Sequence, residues 1–358
     1  MVNFLLKKIS YSFLVIFGVL TIVFFLFNVL PGDPARMMLD KREDSEQLAI
    51  IKKKYGFDKP IFTQYFYYLN DLSFLSIHSK SPDDFTYLDQ KKYDSTKLFE
   101  LNDFSIVFKK PYLRTSFIKS NLKVSKIIKT TFPNTFILAL LAILFGLIFG
   151  LILGVFSALN KDSVLDKIIL YFSVLGMALP SFFSAIIIAW IFGYLLNAYT
   201  GLNMTGSLYE IDDYGIGRTI QFKNIILPAI TLGIRPLAVI IQLSRNSLLE
   251  VLSMDYIRTA KAKGLNRFVV VFKHALWNSL NPVITAVSGW FASLLAGAVF
   301  VEYIFAWNGL GKEIVDALNN MDLPVVMGSV IFISLIFVII NILVDLLYAW
   351  IDPRVRIE

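Results

Sequence analysis

The chain reads as an all-α integral membrane protein of six transmembrane helices, with a small external domain between the first and the second. Composition points there first. Of 358 residues, 56% are hydrophobic and 15% aromatic but only 17% are charged, and mean hydropathy is +0.65. That is more apolar and less charged than ordinary globular usage. Second, six stretches near 9–30, 134–158, 168–197, 225–249, 279–301 and 324–350 reach the roughly 20 apolar residues a helix needs to cross a bilayer. Third, the net charge of +7 is carried by cations beside apolar runs rather than by one dense basic arm. This suits membrane topology and argues against a nucleic-acid partner.

The first stretch follows Lys7 and Lys8 but is too long for a secretory h-region and lacks a small-x-small cleavage pattern, so it reads as a retained anchor. Residues 1–30 form this first span, and residues 31–130 are long enough to be a domain rather than a loop. The early part of that domain, from a Ser45 cap through Pro60, has the apolar spacing of a helical hairpin. Its aromatics Tyr65, Phe66, Tyr67 and Tyr68 are expected to lie on the membrane surface. Residues 75–105 mix Asp, Lys, Ser and aromatics without clear period and read as a variable insertion. Residues 131–358 hold the five remaining spans as one core, interrupted by a basic loop at 252–275.

Short-loop charge sets the orientation. With the N-terminus inside, Lys161, Lys167, Arg245, Arg258, Lys261, Lys263, Arg267, Lys273, Arg354 and Arg356 join Lys7 and Lys8 in the cytoplasm, against Arg218, Lys223 and Lys312 outside. Both termini are therefore expected in the cytoplasm. The chain has no cysteine, so neither disulfides nor thiol-ligated metal enter the argument. His78 and His274 are far apart, and a single nitrogen ligand makes no metal site.

The basic loop carries the sharpest pattern. The fourth span is expected to run on through NSLLEVLSMDYIRTAKAKG and to stop at Gly264, which can take the left-handed turn that ends a helix. Tyr256, Ala260 and Lys261 share one side of this helix while Arg258 and Lys263 project elsewhere. Such an element either docks in a groove of a soluble partner or lies at the interface with its lysines on anionic lipid heads.

The run DYIRTAKAKGLNRFVVVFKHALWNSLNPVI resembles the coupling loop of ABC importer permeases of the oligopeptide/dipeptide/nickel class. LPGDPA after the first span, GMALPSF in the third, GAVFVEYIFAWNGLGKEIVDALNNMDLPVV, and LVDLLYAWIDPRVR resemble the same class in the same order. LPGDPA together with the C-terminal DPR marks the B-type subunit.

The resemblance implies a type I importer-like fold and an inner-membrane transport subunit of a bacterium, not an enzyme. Two homologous permeases would form the pathway, two ATPase subunits would dock on the coupling helices, and an external binding protein would deliver a peptide. ATP and Mg would sit on the ATPase chains, leaving this one without a cofactor. Arg258, Thr259 and Ala260 stand where the general EAA signature has its first residues, with Gly264 as its glycine. His274 and Trp277 replace residues that many ABC permeases carry as Ile and Pro. The coupling set is thus Tyr256, Arg258, Thr259, Ala260, Lys261, Gly264 and His274.

No phosphate loop is present: NGLGKE lacks the leading glycine, since Ala306 holds that place, and Glu313 follows the lysine. Gly309 and Gly311 therefore read as turn residues. Ionised groups within spans cost about 2.5–3.5 kcal/mol on insertion scales. Arg235 is a candidate for the translocation pathway, where it would attract a peptide carboxylate, or else a partner of Glu302, Asp345 or the second permease. Asp345 reads as structural. Pro180, Pro228, Pro236, Gly289 and Gly297 break regular packing, and hinge and packing roles are the favoured reading for them; Pro180 and Gly289 are also candidate pathway positions.

A stand-alone secondary transporter would want more buried acids, and an intramembrane hydrolase would want a catalytic pair; neither pattern is present. Nickel complexes and glutathione-like solutes remain alternatives to peptides.

Overall fold

Long apolar helices dominate the computed structural model, which describes residues 2–29, 35, 45–82, 84–89, 92–119, 122–211 and 217–351. LPGDPA, apart from Ala35, and the C-terminal DPR lie outside the described residues. Among the described residues four helices have the length and composition to cross a membrane: Ser10–Asn28 within α1 (Val2–Val29), α4 (Val124–Leu159), α7 (Lys223–Leu252), and Leu323–Leu346 within α13 (Leu323–Ile351). Two bent pairs bring the number to six if each is one span. These are α5 (Val164–Ala178) with α6 (Ser181–Leu195), bent by 110°, and α9 (Arg267–Ser279) with α10 (Asn281–Gly297), bent by 51°. Pro180 stands at the first break with ψ 140°, so the expected third span is two helices with a corner between them. A proline there has no N–H to carry the helix on.

The chain divides into two units, of which the larger holds residues 1–9, 131–312 and 335–358. Its helices meet through small residues. Gly146, Gly150 and Gly154 of α4 face Leu237, Ile240 and Ser244 of α7, and a Cβ on Gly150 would sit 2.8 Å from Ile240. Without a hydrophobic force between helices in lipid, such close approach is what holds them together. On another side of α7, a Cβ on Gly176 of α5 would lie 2.9 Å from Ile234. Leu138, Ala142, Ala185, Leu232, Leu295, Val301, Phe305 and Trp307 form the buried core beside these contacts.

Beyond α10 come α11 (Val299–Ile304) and α12 (Leu310–Asn319). The link between them is tied to α4: Trp307 Nε1 donates to Asn134 O at 3.1 Å, Asn134 Nδ2 to Asn308 O at 2.7 Å, and Leu310 N to Thr135 Oγ1 at 2.8 Å. Fully buried Glu302 accepts the Lys312 N–H at 3.1 Å and so caps α12. Burial raises the carboxyl pKa, against the opposing pull of Thr135 and of the Lys312 and Gly311 N–H groups. The left-handed residue of the link is Ala306, with φ 53°, which corrects the expectation that Gly309 and Gly311 serve turn angles. Those two glycines make room instead, since a Cβ would lie 2.4 Å from Glu302 at Gly309 and 2.6 Å from the Val299 backbone at Gly311.

The second unit holds residues 10–130 and 313–334. Its helices α2 (Ser45–Tyr55) and α3 (Ile61–Leu72) flank Pro60, as the hairpin expectation required. Within residues 75–109 lies an antiparallel sheet, β1 (Leu75–Ser79), β2 (Ser95–Glu100) and β3 (Phe104–Lys109) in the order β1-β3-β2. A helix-only reading therefore fails in this segment. Its exposed faces carry Leu75, Ile77, Phe99, Phe104 and Phe108 while Ser76, His78, Ser105 and Lys109 are buried, so the alternation that marks a half-buried strand is inverted, with the apolar residues outward.

Tyr65 and Tyr68 are also corrected. Both are buried against α1, with ring centroids 5.2 and 5.5 Å from Phe24, and Tyr67 stacks on Phe85; only Phe66 is left exposed. Beneath the sheet, buried Asp71 accepts from Tyr93 Oη at 2.8 Å and from Arg114 Nε at 2.9 Å, while Lys109 Nζ donates to its backbone carbonyl. Burial pulls the Lys109 ammonium down to about 8 and lowers the His78 imidazole, whose ring nitrogens are held by Ser76 and Thr86.

Two outcomes follow for purified protein in detergent. Gly154→Val, whose Cβ would collide with Ser244 Oγ, should lower the melting temperature, whereas Gly289→Ala, whose Cβ meets nothing within 4 Å, should leave it unchanged. Asp71→Asn should destabilise its unit by about 3–5 kcal/mol because it strands the buried cations. Limited proteolysis of residues 45–119 reads that loss directly.

Candidate functional site

The basic loop forms at the end of α7. The expected continuous helix is interrupted: α7 stops at Leu252, and a separate helix α8 (Asp255–Ala262) starts after Met254, whose backbone is extended. Ser253 Oγ turns back to the Glu250 carbonyl at 2.6 Å, a local bond that competes with helix continuation. Gly264 has φ +76° and open space around its α-carbon, so it makes the left-handed exit anticipated for it. Leu265 N returns to Ala260 O, and Asn266 caps α9 through Phe268 N at 3.1 Å.

Helix α8 is anchored by two residues, Ile257 and Ala260. They are buried with Val155, Ala158, Leu248, Val251, Val270 and Ala275. Ala260 is thus turned toward its own protein and does not share an outward face with Tyr256 and Lys261 as expected. Tyr256, Arg258, Thr259, Lys261, Lys263 and Gly264 are all exposed. Arg258 pairs with Asp255 at 3.3 Å, a solvated bond that leaves the guanidinium available. His274 is half-buried on a wide π-type turn, Val270–Ala275. Asn278 donates both to its carbonyl at 2.9 Å and to Tyr256 Oη at 3.1 Å, joining α8 to the returning helix.

A clamp that sequence reasoning missed holds the base of the loop. Asp166, buried at the start of α5, takes a two-pronged bond from Arg245 of α7, at 2.8 Å from Nε and 2.7 Å from Nη2. Ser157 Oγ of α4 and the Asp162 N–H complete its shell. Three helices are thereby locked seven residues before α7 ends. The residues are 79 positions apart, and only the charge of each within an apolar neighbourhood signalled them.

The three proposed pathway residues are all exposed. Arg235 is exposed on α7 and makes no ion pair among the described residues, so its pairing with Glu302 or Asp345 is excluded there. Asp345 pairs with Lys8, in keeping with a structural role. Pro180 and Gly289 are exposed on α6's N-terminus and α10 respectively. Among the described residues no cluster of His, Cys, Asp and Glu could hold a metal.

The family model for the binding-protein-dependent transport system inner membrane component matches residues 146–357, the stretch containing the clamp and α8, and its N-terminal companion matches residues 1–81. The chain belongs to this family of transport components. The dipeptide transport system permease protein DppB of Lactococcus lactis subsp. cremoris is 34% identical over 100% of both chains. DppB of Alkalihalophilus pseudofirmus is 31% identical over 99% of this chain and 100% of its own. The oligopeptide transport system permease protein AppB of Bacillus subtilis is 29% identical, again over 99% and 100%. Among solved structures, a chain of the inward-facing MetNI methionine ABC transporter is similar in fold, with a TM-score of 0.50 and 16% identity over 64% of this chain and 97% of that one. The transport component is thus a multi-pass inner-membrane permease subunit of the ABC-importer class, as its motifs indicated, and its relatives are permeases rather than enzymes.

In this permease Asp166→Asn should leave Arg245 buried without its counter-charge. The expected result is a loss of about 3–5 kcal/mol in stability, with a lower melting temperature. Joint Asp166→Leu and Arg245→Met should recover most of it.

Proposed function

We propose that the chain is the peptide permease of an ATP-driven importer, in which α8 is the element gripped by an ATPase. The observation that carries this is the construction of α8: two buried residues, Ile257 and Ala260, fasten it to α4, α7 and α9, while the cations Arg258, Lys261 and Lys263 around it are left exposed. A helix lying only on lipid needs an apolar side for the bilayer, whereas the apolar side here is spent on the protein itself. The relatives' names supply dipeptides and oligopeptides as the cargo class.

A second homologous permease completes the pathway, an external binding protein delivers the peptide, and two ATPase subunits hold ATP and Mg. Closure of the ATPases pushes on Tyr256, Arg258, Thr259 and Lys261. The push reaches α7 through the buried anchor and reaches α5 through Arg245 and Asp166. The two permeases then exchange inward-open and outward-open states. Both termini and α8 lie in the cytoplasm, and residues 31–130 lie outside, in accord with the short-loop charge.

The test uses the assembled importer. Gly264→Val, which strains a left-handed position, and Arg258→Glu should insert normally yet lose peptide uptake and peptide-stimulated ATP hydrolysis by at least tenfold. Retention of stimulated hydrolysis in both variants would sink the coupling role. Uptake that follows an ion gradient and ignores ATP would instead favour a secondary transporter.

A further inference from the structure

Helix α7 packs against α4, α5, α6 and α10, and between these contacts one strip of its surface carries exposed residues. Leu237, Ile240 and Ser244 lie against the glycines of α4, while Ile234 faces Gly176 of α5. At about 100° per residue, Arg235, Val239, Gln242 and Asn246 fall together on the side opposite α4. Arg235 and Asn246 are exposed there and Gln242 is partly so.

This side is polar in a helix otherwise apolar enough to span a membrane. The Arg235 guanidinium makes no hydrogen bond or ion pair among the described residues. Gln242 Nε2 reaches only Met177 Sδ at 3.4 Å, and Asn246 accepts a single bond, from Arg245 at 3.3 Å through Oδ1, so that its amide donors are unused. Arg235 and Gln242, left in this way within the span, are untenable against hydrocarbon and belong against water or a polar ligand; Asn246 continues the strip to the cytoplasmic end beside Arg245.

We propose that Arg235, Gln242 and Asn246 are the substrate-reading stripe of the permease, with Arg235 taking the C-terminal carboxylate of the peptide and the two amides taking its backbone. This rests on the peptide-import reading above. The charge is complementary to a free carboxylate and the guanidinium fork is shaped for it. Length agrees as well: eleven residues at 1.5 Å each separate Arg235 from Asn246 by about 16 Å, the span of an extended peptide of about five residues.

Because the chain contains no cysteine, single cysteines report on this face directly. In the assembled importer, Arg235→Cys, Gln242→Cys and Asn246→Cys should react with a membrane-impermeant cationic thiol reagent at least tenfold faster than Ile152→Cys, an exposed apolar position on α4. Tetra-alanine should slow the reaction at Gln242→Cys, and its C-terminal amide should not. Arg235→Gln should lower tetra-alanine uptake about tenfold, the loss of one charged hydrogen bond, and Arg235→Lys should restore part of it.

Labelling as slow as at Ile152→Cys would place the stripe against lipid or the second permease and overturn the proposal. Equal protection by peptide and amide would overturn the carboxylate assignment. The underlying reading is judged separately: wild-type uptake that persists without ATP removes the ATP-driven importer but leaves the labelling pattern standing.

Discussion

Everything in the larger unit depends on how closely α4 and α7 approach. In water two apolar helices are driven together; in a bilayer the lipid tails solvate them equally well, so association must come from contact itself. Gly146, Gly150 and Gly154 remove the side chains that would hold α7 away, and Ser244 fits so tightly against Gly154 that no Cβ could be added. This ridge sets the rotation of α7. Once that side is committed to α4, the polar strip bearing Arg235 faces away from α4, and the end of the helix delivers α8 to the surface.

The clamp at Asp166 makes the same helix a lever. A doubly hydrogen-bonded carboxylate and guanidinium, buried at the join of α4, α5 and α7, resists sliding more than apolar packing does. The break at Ser253 and Met254 then separates α8 from α7, so that α8 can be pushed as a body through its Ile257 and Ala260 anchor. Rigid connection and local articulation thus lie within about twenty residues of each other. A transmitter needs both, because a continuous helix would bend the span and a loose loop would dissipate the motion.

The second unit shows a different economy. Its buried cluster gathers Asp71 with Arg114, Lys109 and nearby Lys92, whose ammonium lies 4.8 Å from the centre of the Tyr93 ring. Aromatic faces and one carboxylate share the cations, and burial holds Lys109 well below its usual range. The unit is therefore packed around charge, and its apolar phenylalanines are partly spent on the surface.

The sequence by itself determined the elements whose cause is local. Apolar length marks the spans, Gly264 marks the exit of α8, and the run from Asp255 to Ile284 marks the family. Pro180 marked an interruption but not its 110° corner, since a proline removes a donor without dictating where the next helix packs. Tertiary structure alone decided the pairings: Arg245 with Asp166 across 79 positions, Glu302 with the start of α12, Tyr65 and Tyr68 with α1 instead of the membrane surface. It also turned Ala260 inward and left Arg235 outward. Those outcomes depend on which face each helix gives to its neighbours, and in a chain apolar on almost every side the hydrophobic period carries little of that information; small residues and buried charges carry it instead.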